Sequence, residues 1–165
     1  MAAPNDVPNL WMHVDPALQF EDPTLGPLLA YWQSKCRDGG LPSRHDIDPV
    51  ELKEHLGNLC LVEVLGPPLR LRYRLVGTNI TRLMHRDATG RCFDELYPAD
   101  ALPSYLAAYE QLIATRQPLR CYGLSTYPDQ NLYRYEILNM PLADASGSVN
   151  MVIGKLVFHR HRAET

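Results

Sequence analysis

The chain has 165 residues and a formal net charge of −3, with 45% hydrophobic and 21% charged residues. This length is sufficient for one domain with its own hydrophobic core, and the composition is that of ordinary globular proteins, which excludes the disordered and fibrous classes. The weak negative charge provides no field that would attract nucleic acid or anionic lipid, so we expect neither as a partner.

The cysteines and the first residues indicate a compartment. The four cysteines are widely spaced and form no C-x-x-C pair, so we expect reduced thiols. The N-terminal residues show no signal-peptide pattern, and no apolar run approaches the roughly 20 residues that a membrane span requires. We therefore expect a cytoplasmic protein without membrane insertion.

Residues 1–23 contain Pro4, Pro8, Pro16 and Pro23 and show little periodicity, which predicts an extended N-terminal arm. Thr24 is the predicted N-cap of a helix that stops before a pair of glycines. Its apolar residues recur at helical spacing and form one stripe: Leu25, Leu28, Leu29 and Trp32.

A second short helix is predicted from Asp48 to about Leu56. Asp48 has the position of an N-cap, Pro49 that of the first helical residue, and Glu51 that of a capping-box glutamate. Residues 24–56 therefore form a predicted helical N-terminal extension.

The hydrophobic period changes to two from Leu59 onward. Segments 59–65 and 69–76 are predicted to be antiparallel strands joined by a short turn at residues 66–68. In the second strand, alternation predicts one face with Leu69, Leu71, Tyr73 and Leu75 and an opposite, basic face with Arg70, Arg72 and Arg74.

Helical and β patterns follow in turn. A short helix is predicted after Thr78 or Asn79, a single turn at 93–96, and a longer helix over about 100–116 with Asp100 as its cap. Three further strands are predicted at 119–127, 132–142 and 149–158. The prediction is an α+β domain over residues 57–160, a five-stranded antiparallel sheet with short helices on one face, followed by a tail at 161–165.

Several short phrases occur in a characteristic order along residues 25–158: Leu29-Ala30-Tyr31-Trp32, Leu41-Pro42-Ser43-Arg44, Asp46-Ile47-Asp48-Pro49, Arg72-Tyr73-Arg74-Leu75-Val76-Gly77-Thr78, Thr89-Gly90-Arg91 and Met140-Pro141-Leu142. Together with the order of elements, they resemble a family of bacterial, stand-alone PAS-domain proteins, formerly known only as a domain of unknown function. The resemblance implies a PAS-like sheet with a small cavity under its helices, and a sensory module without an attached kinase, cyclase or DNA-binding domain.

Signals for a cofactor are weak, and the cofactor stays unknown. Cys92 lies in Gly90-Arg91-Cys92-Phe93, which is similar to the Asn-Cys-Arg-Phe phrase of flavin-binding PAS relatives, but the flanking residues differ and a buried thiol is favoured. Haem is not favoured either, because the long helix offers Tyr105 and Tyr109 but no histidine. The six histidines are scattered, and no metal site is predicted.

Charged residues in two places suggest further contacts. Arg44 is expected to anchor its loop by an ion pair with Asp46 or Asp48, with an anionic ligand as the alternative. The arginines of the second strand are interpreted as a solvated face, with an acidic partner surface as the alternative.

The leading functional hypothesis is a non-catalytic PAS-type sensory or regulatory module that binds a small molecule, a protein partner, or both. The residues expected to line its pocket are Leu75, Ile80, Met84, Tyr105, Tyr109 and Ile153. One alternative is a ligand-free interaction module, a homodimer formed through the stripe of Leu25, Leu28, Leu29 and Trp32. Another is a small α+β enzyme with Glu63 or Glu136 as a pocket general base, although no common catalytic motif is present.

Overall fold

The computed structural model describes residues 12–162. Its helices and strands are β1 (His13–Asp15), α1 (Leu25–Lys35), β2 (Leu59–Leu65), β3 (Arg70–Val76), α2 (Thr78–Met84), α3 (Phe93–Leu96), α4 (Leu102–Thr115), β4 (Leu119–Thr126), β5 (Leu132–Ala143) and β6 (Val149–Arg160). Two 3₁₀ turns, Arg44–Asp46 and Leu56–Asn58, lie between α1 and β2. Residues 1–11 of the predicted arm and 163–165 of the predicted tail lie outside the described residues.

The strands form one antiparallel sheet in the order β1-β4-β5-β6-β2-β3. The predicted fold class is confirmed, but the sheet has six strands rather than five because part of the arm joins its edge. His13 pairs with Tyr122, and Asp15 pairs with Arg120. The Asp15 carboxylate also accepts a hydrogen bond from Arg120 Nη1 at 3.2 Å, which fixes the register of this short strand.

One side of the sheet, here called the α1 face, packs against α1 and the segment 36–58. The sheet contributes alternate residues of β5, such as Leu138 and Leu142, together with Ile153 of β6. They enclose the buried residues of the N-terminal extension, Leu25, Leu28, Trp32, Ile47 and Leu52. Apolar surface removed from water on this face is the main force that holds the extension on the sheet.

The opposite side, here called the α4 face, packs against α3 and α4. Val62, Leu71 and Val152 of the strands β2, β3 and β6 contact Phe93 of α3 and the buried residues of α4, Ala108, Tyr109 and Leu112. The short helices lie on this one face, as predicted, and the N-terminal extension covers the other. The central strands are therefore apolar on both sides, which is the usual pattern of a sheet between two layers.

The helix caps differ from the predicted ones. Thr24 is the N-cap of α1 by position, but its side chain makes no capping hydrogen bond. Instead, Asp22 Oδ1 accepts a hydrogen bond from the Thr24 backbone N–H at 2.8 Å. Asp100 does not cap α4, whose N-cap is Ala101, and α2 starts after Gly77. These corrections move each helix boundary by only one or two residues, as is usual for helix ends.

The predicted second helix does not form an α-helix. Hydrogen bonds there join residues three apart, from Leu52 N–H to Pro49 O at 3.2 Å and from His55 N–H to Leu52 O at 2.8 Å. Asp48 does behave as predicted, because its Oδ1 accepts the Val50 N–H at 2.8 Å. The segment buries Leu52 but leaves Val50 75% exposed, so it lacks the apolar stripe that would stabilise a short helix.

Candidate functional site

A cavity of about 410 Å³ lies between the α4 face of the sheet and the helices α2, α3 and α4. The strands β3, β4, β5 and β6 contribute residues to its wall. This volume falls in the range of sites for small organic molecules.

Aromatic side chains dominate the lining of the cavity. Phe93 lies at their centre, with ring centroids 4.7 Å from Tyr73, 5.3 Å from Tyr97 and 5.6 Å from Tyr109. The remaining aromatic lining residues are Tyr105, Tyr127 and Tyr135. Rings at these distances and tilts attract one another through their edges and faces, so the wall is stiff and can take a flat apolar ligand.

The sequence spacing explains how these rings meet. Tyr105 and Tyr109 are four residues apart on α4 and therefore lie on the same side of that helix. Tyr73 follows Leu71 by two residues on β3 and so has the same orientation, toward the α4 face. Tyr135 and Asn139, four residues apart on β5, share that face as well.

Two buried polar atoms in the cavity wall have no hydrogen-bond partner among residues 12–162. They are the Tyr135 hydroxyl and Asn139 Oδ1, and each residue is only 5% exposed. In contrast, the hydroxyls of Tyr73 and Tyr97 bond to each other at 2.6 Å. A buried polar atom without a partner costs free energy, so these two atoms are the points at which a bound molecule would gain most.

The phenols that line the cavity stay protonated. Burial raises the pKa of Tyr97, Tyr109 and Tyr135 above the ordinary tyrosine value, and it raises the pKa of Tyr127 to about 12. Burial likewise raises the pKa of the Cys121 thiol to about 12. Each of these groups is therefore neutral near pH 7.

Charge is confined to the edge of the cavity. Among residues 12–162, its only charged lining side chains are Arg86 and Asp100, and both residues are exposed. Arg86 also donates a hydrogen bond to the Leu96 carbonyl at 3.2 Å. The interior is thus an uncharged environment with a few neutral hydrogen-bonding groups.

Four of the six residues predicted to line a pocket do meet in this cavity: Ile80, Met84, Tyr105 and Tyr109. The placement of the other two was wrong. Ile153 belongs to the core of the α1 face. Leu75 is 45% exposed and lies outside the cavity, because an irregularity pairs Leu61 with Leu75 but Val62 with Tyr73. The extra residue between Tyr73 and Leu75 reverses the side of the sheet to which the following side chains point, as β-bulges do.

Other lining residues escaped the prediction, above all Tyr97 and Asn139. Asn139 had one usable signal, since it is a polar residue in the apolar run Ile137-Leu138-Asn139-Met140. Because an unpaired polar group is rarely buried without a reason, an asparagine in such a strand suggests a specific contact.

The stripe predicted to form a dimer is used inside the chain. Leu25 is 0%, Leu28 1% and Trp32 6% exposed, and Leu29 is half-buried against the same core. Trp32 Nε1 also donates a hydrogen bond to the Pro141 carbonyl at 3.0 Å. The expectation of a free apolar face on α1 was therefore wrong, because the stripe faces the sheet.

Neither candidate general base lies in the tyrosine-lined cavity. Glu63 accepts a hydrogen bond from Arg72 Nε at 2.6 Å across β2 and β3. Glu136 pairs with Arg120 on the α1 face, where both side chains are buried. Both carboxylates are held by arginines, and neither Glu63 nor Glu136 is among the residues that line the cavity.

Glu136 is the centre of a polar cluster that fastens the N-terminal segment. Its two carboxylate oxygens accept the backbone N–H groups of Glu21 at 2.9 Å and Asp22 at 2.8 Å. Nearby, Lys155 Nζ donates to Thr24 Oγ1 at 2.9 Å and lies 2.8 Å from His55 Nδ1. These contacts join the beginning of α1 to β5 and β6.

Arg70 of the basic stripe and Arg44 of its loop have partners within the chain. Arg70 forms two hydrogen bonds with Asp94, at 2.7 and 3.0 Å. The expected ion pair of Arg44 with Asp46 or Asp48 does not form within residues 12–162: Arg44 donates instead to the Ile47 carbonyl at 3.2 Å, and Asp46 accepts the Ser43 N–H at 2.8 Å.

Cys92 is buried at the start of α3 and does not line the cavity. Its backbone N–H donates to Glu95 in a capping box, so its local role is structural. Residues 12–162 contain no cluster of three potential metal ligands, and within the same range no helix has the length and apolar character to cross a bilayer.

Comparison with known proteins decides the family. The model of the PAS domain matches residues 20–157, most of the chain. The chain belongs to the PAS domain family. PAS domains are in general sensory or regulatory modules, and many bind small ligands. No curated protein matches the sequence.

Solved PAS structures show the same fold at low sequence identity. An RNA-binding light-oxygen-voltage receptor superposes with a TM-score of 0.54 and 15% identity, over 91% of this chain and 39% of its own. VqmA bound to DPO superposes with a TM-score of 0.53 and 16% identity, and the match covers 67% of this chain and 56% of the VqmA chain. VqmA of Vibrio cholerae in complex with ligand and DNA superposes with a TM-score of 0.53 and 16% identity, and the match covers 66% of this chain and 49% of the VqmA chain. This PAS domain therefore spans less than two thirds of each of these chains.

Proposed function

We propose that this protein is a cytoplasmic, non-catalytic sensory module that binds a small molecule in the cavity between the sheet and α2–α4. The observation that carries the proposal is the pair of buried, unpartnered atoms in the cavity wall, the Tyr135 hydroxyl and Asn139 Oδ1. A molecule that hydrogen-bonds to both is held at two points of the cavity wall. VqmA, which shares the fold, has been solved with DPO bound.

The route of the signal follows β5 in this proposal. Tyr135 lies in the cavity wall, and the next residue, Glu136, holds the backbone of Glu21 and Asp22 on the other face. A ligand that moves Tyr135 therefore acts on the strand that fastens the N-terminal segment. A ligand that binds one arrangement of the N-terminal segment more tightly than another shifts the population toward that arrangement. A protein partner then recognises the arrangement that the ligand favours.

A second copy of the chain is a candidate partner, but not through the stripe of α1, which is buried in the core of the same chain. A homodimer in this proposal uses another surface. Light scattering over a range of concentrations measures the oligomeric state, and a monomer at every concentration excludes the homodimer.

The test of ligand binding is a small-molecule screen by two-dimensional NMR on three proteins. They are the native chain, Ala108→Leu, which fills the cavity from α4, and the control Ala107→Leu, which adds the same volume at an exposed position. We expect compounds that shift cavity resonances of the native chain and of Ala107→Leu, with affinity at least 10-fold weaker in Ala108→Leu.

Two results contradict the proposal: no compound binds the native chain, or binding is equal in Ala108→Leu. If Ala108→Leu does not fold, intermolecular NOEs in the native chain decide the matter. Contacts from a bound compound to the methyl groups of Ile80 and Met84 support the cavity, and contacts elsewhere contradict it.

A further inference from the structure

The chemistry of the cavity wall limits what can bind, and this limit rests on the proposed ligand-binding function. The interior offers aromatic rings and neutral polar groups, while both charged lining residues, Arg86 and Asp100, are exposed at the edge. An ionised group that entered would lose its hydration without meeting an opposite charge, a cost that exceeds what a neutral hydrogen bond returns. The wall therefore selects against carboxylates and phosphates.

The two free polar atoms lie at different levels of β5. Tyr135 and Asn139 are four positions apart, so their Cα atoms are about 13 Å apart along an extended strand. Asn139 pairs with Gly154 of β6, and its Oδ1 lies 2.5 Å from the point that a Cβ on Gly154 would occupy. The amide therefore leans sideways across the sheet toward β6 rather than along β5 toward Tyr135.

Gly154 makes this arrangement possible. A Cβ there would meet Asn139 Oδ1 at 2.5 Å and Cys60 Sγ at 3.2 Å, so any larger residue would displace the amide. The small residue gives Asn139 its place beside the cavity. The second polar point is the hydroxyl of Tyr135, whose ring lines the same cavity together with Tyr105, Tyr127 and Ile137.

From this geometry we infer that the ligand is an elongated, uncharged molecule with an aromatic body, a hydrogen-bond donor at one end for Asn139 Oδ1, and a hydroxyl or carbonyl at the other end for Tyr135. The acceptor at residue 139 requires an N–H or O–H on the ligand, whereas the tyrosine hydroxyl both donates and accepts. Rings of the ligand pack against the aromatic side chains that line the cavity. A cavity of about 410 Å³ has room for a molecule of two rings.

The test uses three probes in titrations followed by NMR and calorimetry. The first is 4′-hydroxybiphenyl-4-carboxamide, which is neutral and has a donor and a hydroxyl at its two ends. The second is the corresponding carboxylate, which differs by one charge, and the third is 4-hydroxybenzamide, which has one ring only. We expect the biphenyl amide to bind at least 10-fold more tightly than either of the other two, a difference of about 1.4 kcal/mol.

Three variants then test the two polar points. Tyr135→Phe and Asn139→Leu each remove one partner of the amide probe and are expected to weaken its binding about 10-fold. Tyr133→Phe is the control, because the Tyr133 hydroxyl bonds to Asp129 outside the cavity and its loss is expected to leave binding unchanged.

The inference is overturned if the carboxylate or the one-ring probe binds as tightly as the biphenyl amide, if Tyr135→Phe and Asn139→Leu bind it like the native chain, or if none of the probes binds. The small-molecule screen distinguishes these failures from failure of the function itself. Charged or compact compounds that bind in the cavity leave the proposed function in place and refute only this ligand class.

Discussion

Tyr135 and Glu136 are consecutive residues of β5 whose side chains serve opposite faces of the sheet. The ring of Tyr135 lines the cavity on the α4 face, and the carboxylate of Glu136 is buried with Arg120 on the α1 face. Strand β5 is buried on both sides. It thus connects the cavity on the α4 face to the attachment of the N-terminal segment on the α1 face.

The Glu136–Arg120 pair is expected to be important for stability. Glu136→Gln leaves the buried Arg120 guanidinium with less compensating charge and weakens the hold on the N–H groups of Glu21 and Asp22. Removal of one member of a buried ion pair costs about 3 kcal/mol or more. We expect a loss of this size in urea denaturation, and faster amide hydrogen exchange in residues 20–24.

The control for this substitution is Glu21→Gln. Glu21 lies 3.6 Å from Arg134, and both side chains are about 60% exposed, so a change of less than 0.5 kcal/mol is expected. Equal effects of the two substitutions would show that the buried pair does not fasten the segment.

His55 and Lys155 are expected to make stability fall in mild acid. Lys155 has no acceptor on its ammonium, so His55 Nδ1 must accept the hydrogen bond and the imidazole is neutral. Burial, together with the charge of Lys155, holds the pKa of His55 below its ordinary value. The unfolded chain, with a histidine pKa of about 6.5, then binds a proton more readily than the folded chain. Stability is therefore complete above about pH 6.5 and decreases as the pH falls through the folded pKa.

The measurement is the free energy of unfolding between pH 7.5 and pH 5. Carboxylates such as Asp22, whose pKa is lowered by its hydrogen bonds from Thr24 despite burial, contribute only at lower pH. In His55→Asn the amide oxygen replaces Nδ1 as acceptor, and a flatter profile is expected. His45→Asn is the exposed control and is expected to keep the native profile. A native profile in His55→Asn would assign the acid sensitivity to other groups.

Most elements could be predicted from residue patterns, because they depend on local spacing. The strands begin and end within two residues of the predicted limits, and α4 follows the spacing of Leu102, Leu106, Tyr109 and Ile113. Two features have no local signal. The three residues of β1 form a strand only because β4 offers an open edge and Arg120 binds Asp15. The reversal at Leu75 depends on a bulge that pairing with β2 imposes.

The site could be predicted only in part for a related reason. Tyr105 and Tyr109 lie on one side of an amphipathic helix, and spacing is enough to place them. In β5, alternation carries no information about which face holds the cavity, since both Ile137 and Leu138 pack in a core. The stripe of α1 was misread in the same way, because an apolar stripe predicts burial but not against which surface.

Two glycines are expected to respond in opposite ways to alanine. A Cβ on Gly77 would lie 2.4 Å from the Gly57 carbonyl oxygen and 2.5 Å from that of Leu56. Because both are backbone atoms that cannot rotate away, Gly77→Ala is expected to cost about 3 kcal/mol. In Gly26→Ala the new methyl group has no atom within 4 Å, and a gain of about 0.5 kcal/mol is expected from the better helix former. Thermal unfolding of both variants measures the difference, and a tolerated Gly77→Ala would contradict the close approach of these backbones.

The contact between Gly154 and Asn139 is expected to appear as coupling between two substitutions. In Gly154→Ala the new methyl group collides with Asn139 Oδ1, and we expect a loss of about 1–3 kcal/mol from overpacking. In an Asn139→Ala background the nearer of the two obstacles is gone and only Cys60 Sγ remains, so the same change is expected to cost at least 1 kcal/mol less. A double-mutant cycle by urea denaturation measures this coupling. If the two losses simply add, the amide of Asn139 does not lie over Gly154, and the position assigned to the ligand's donor end must be given up.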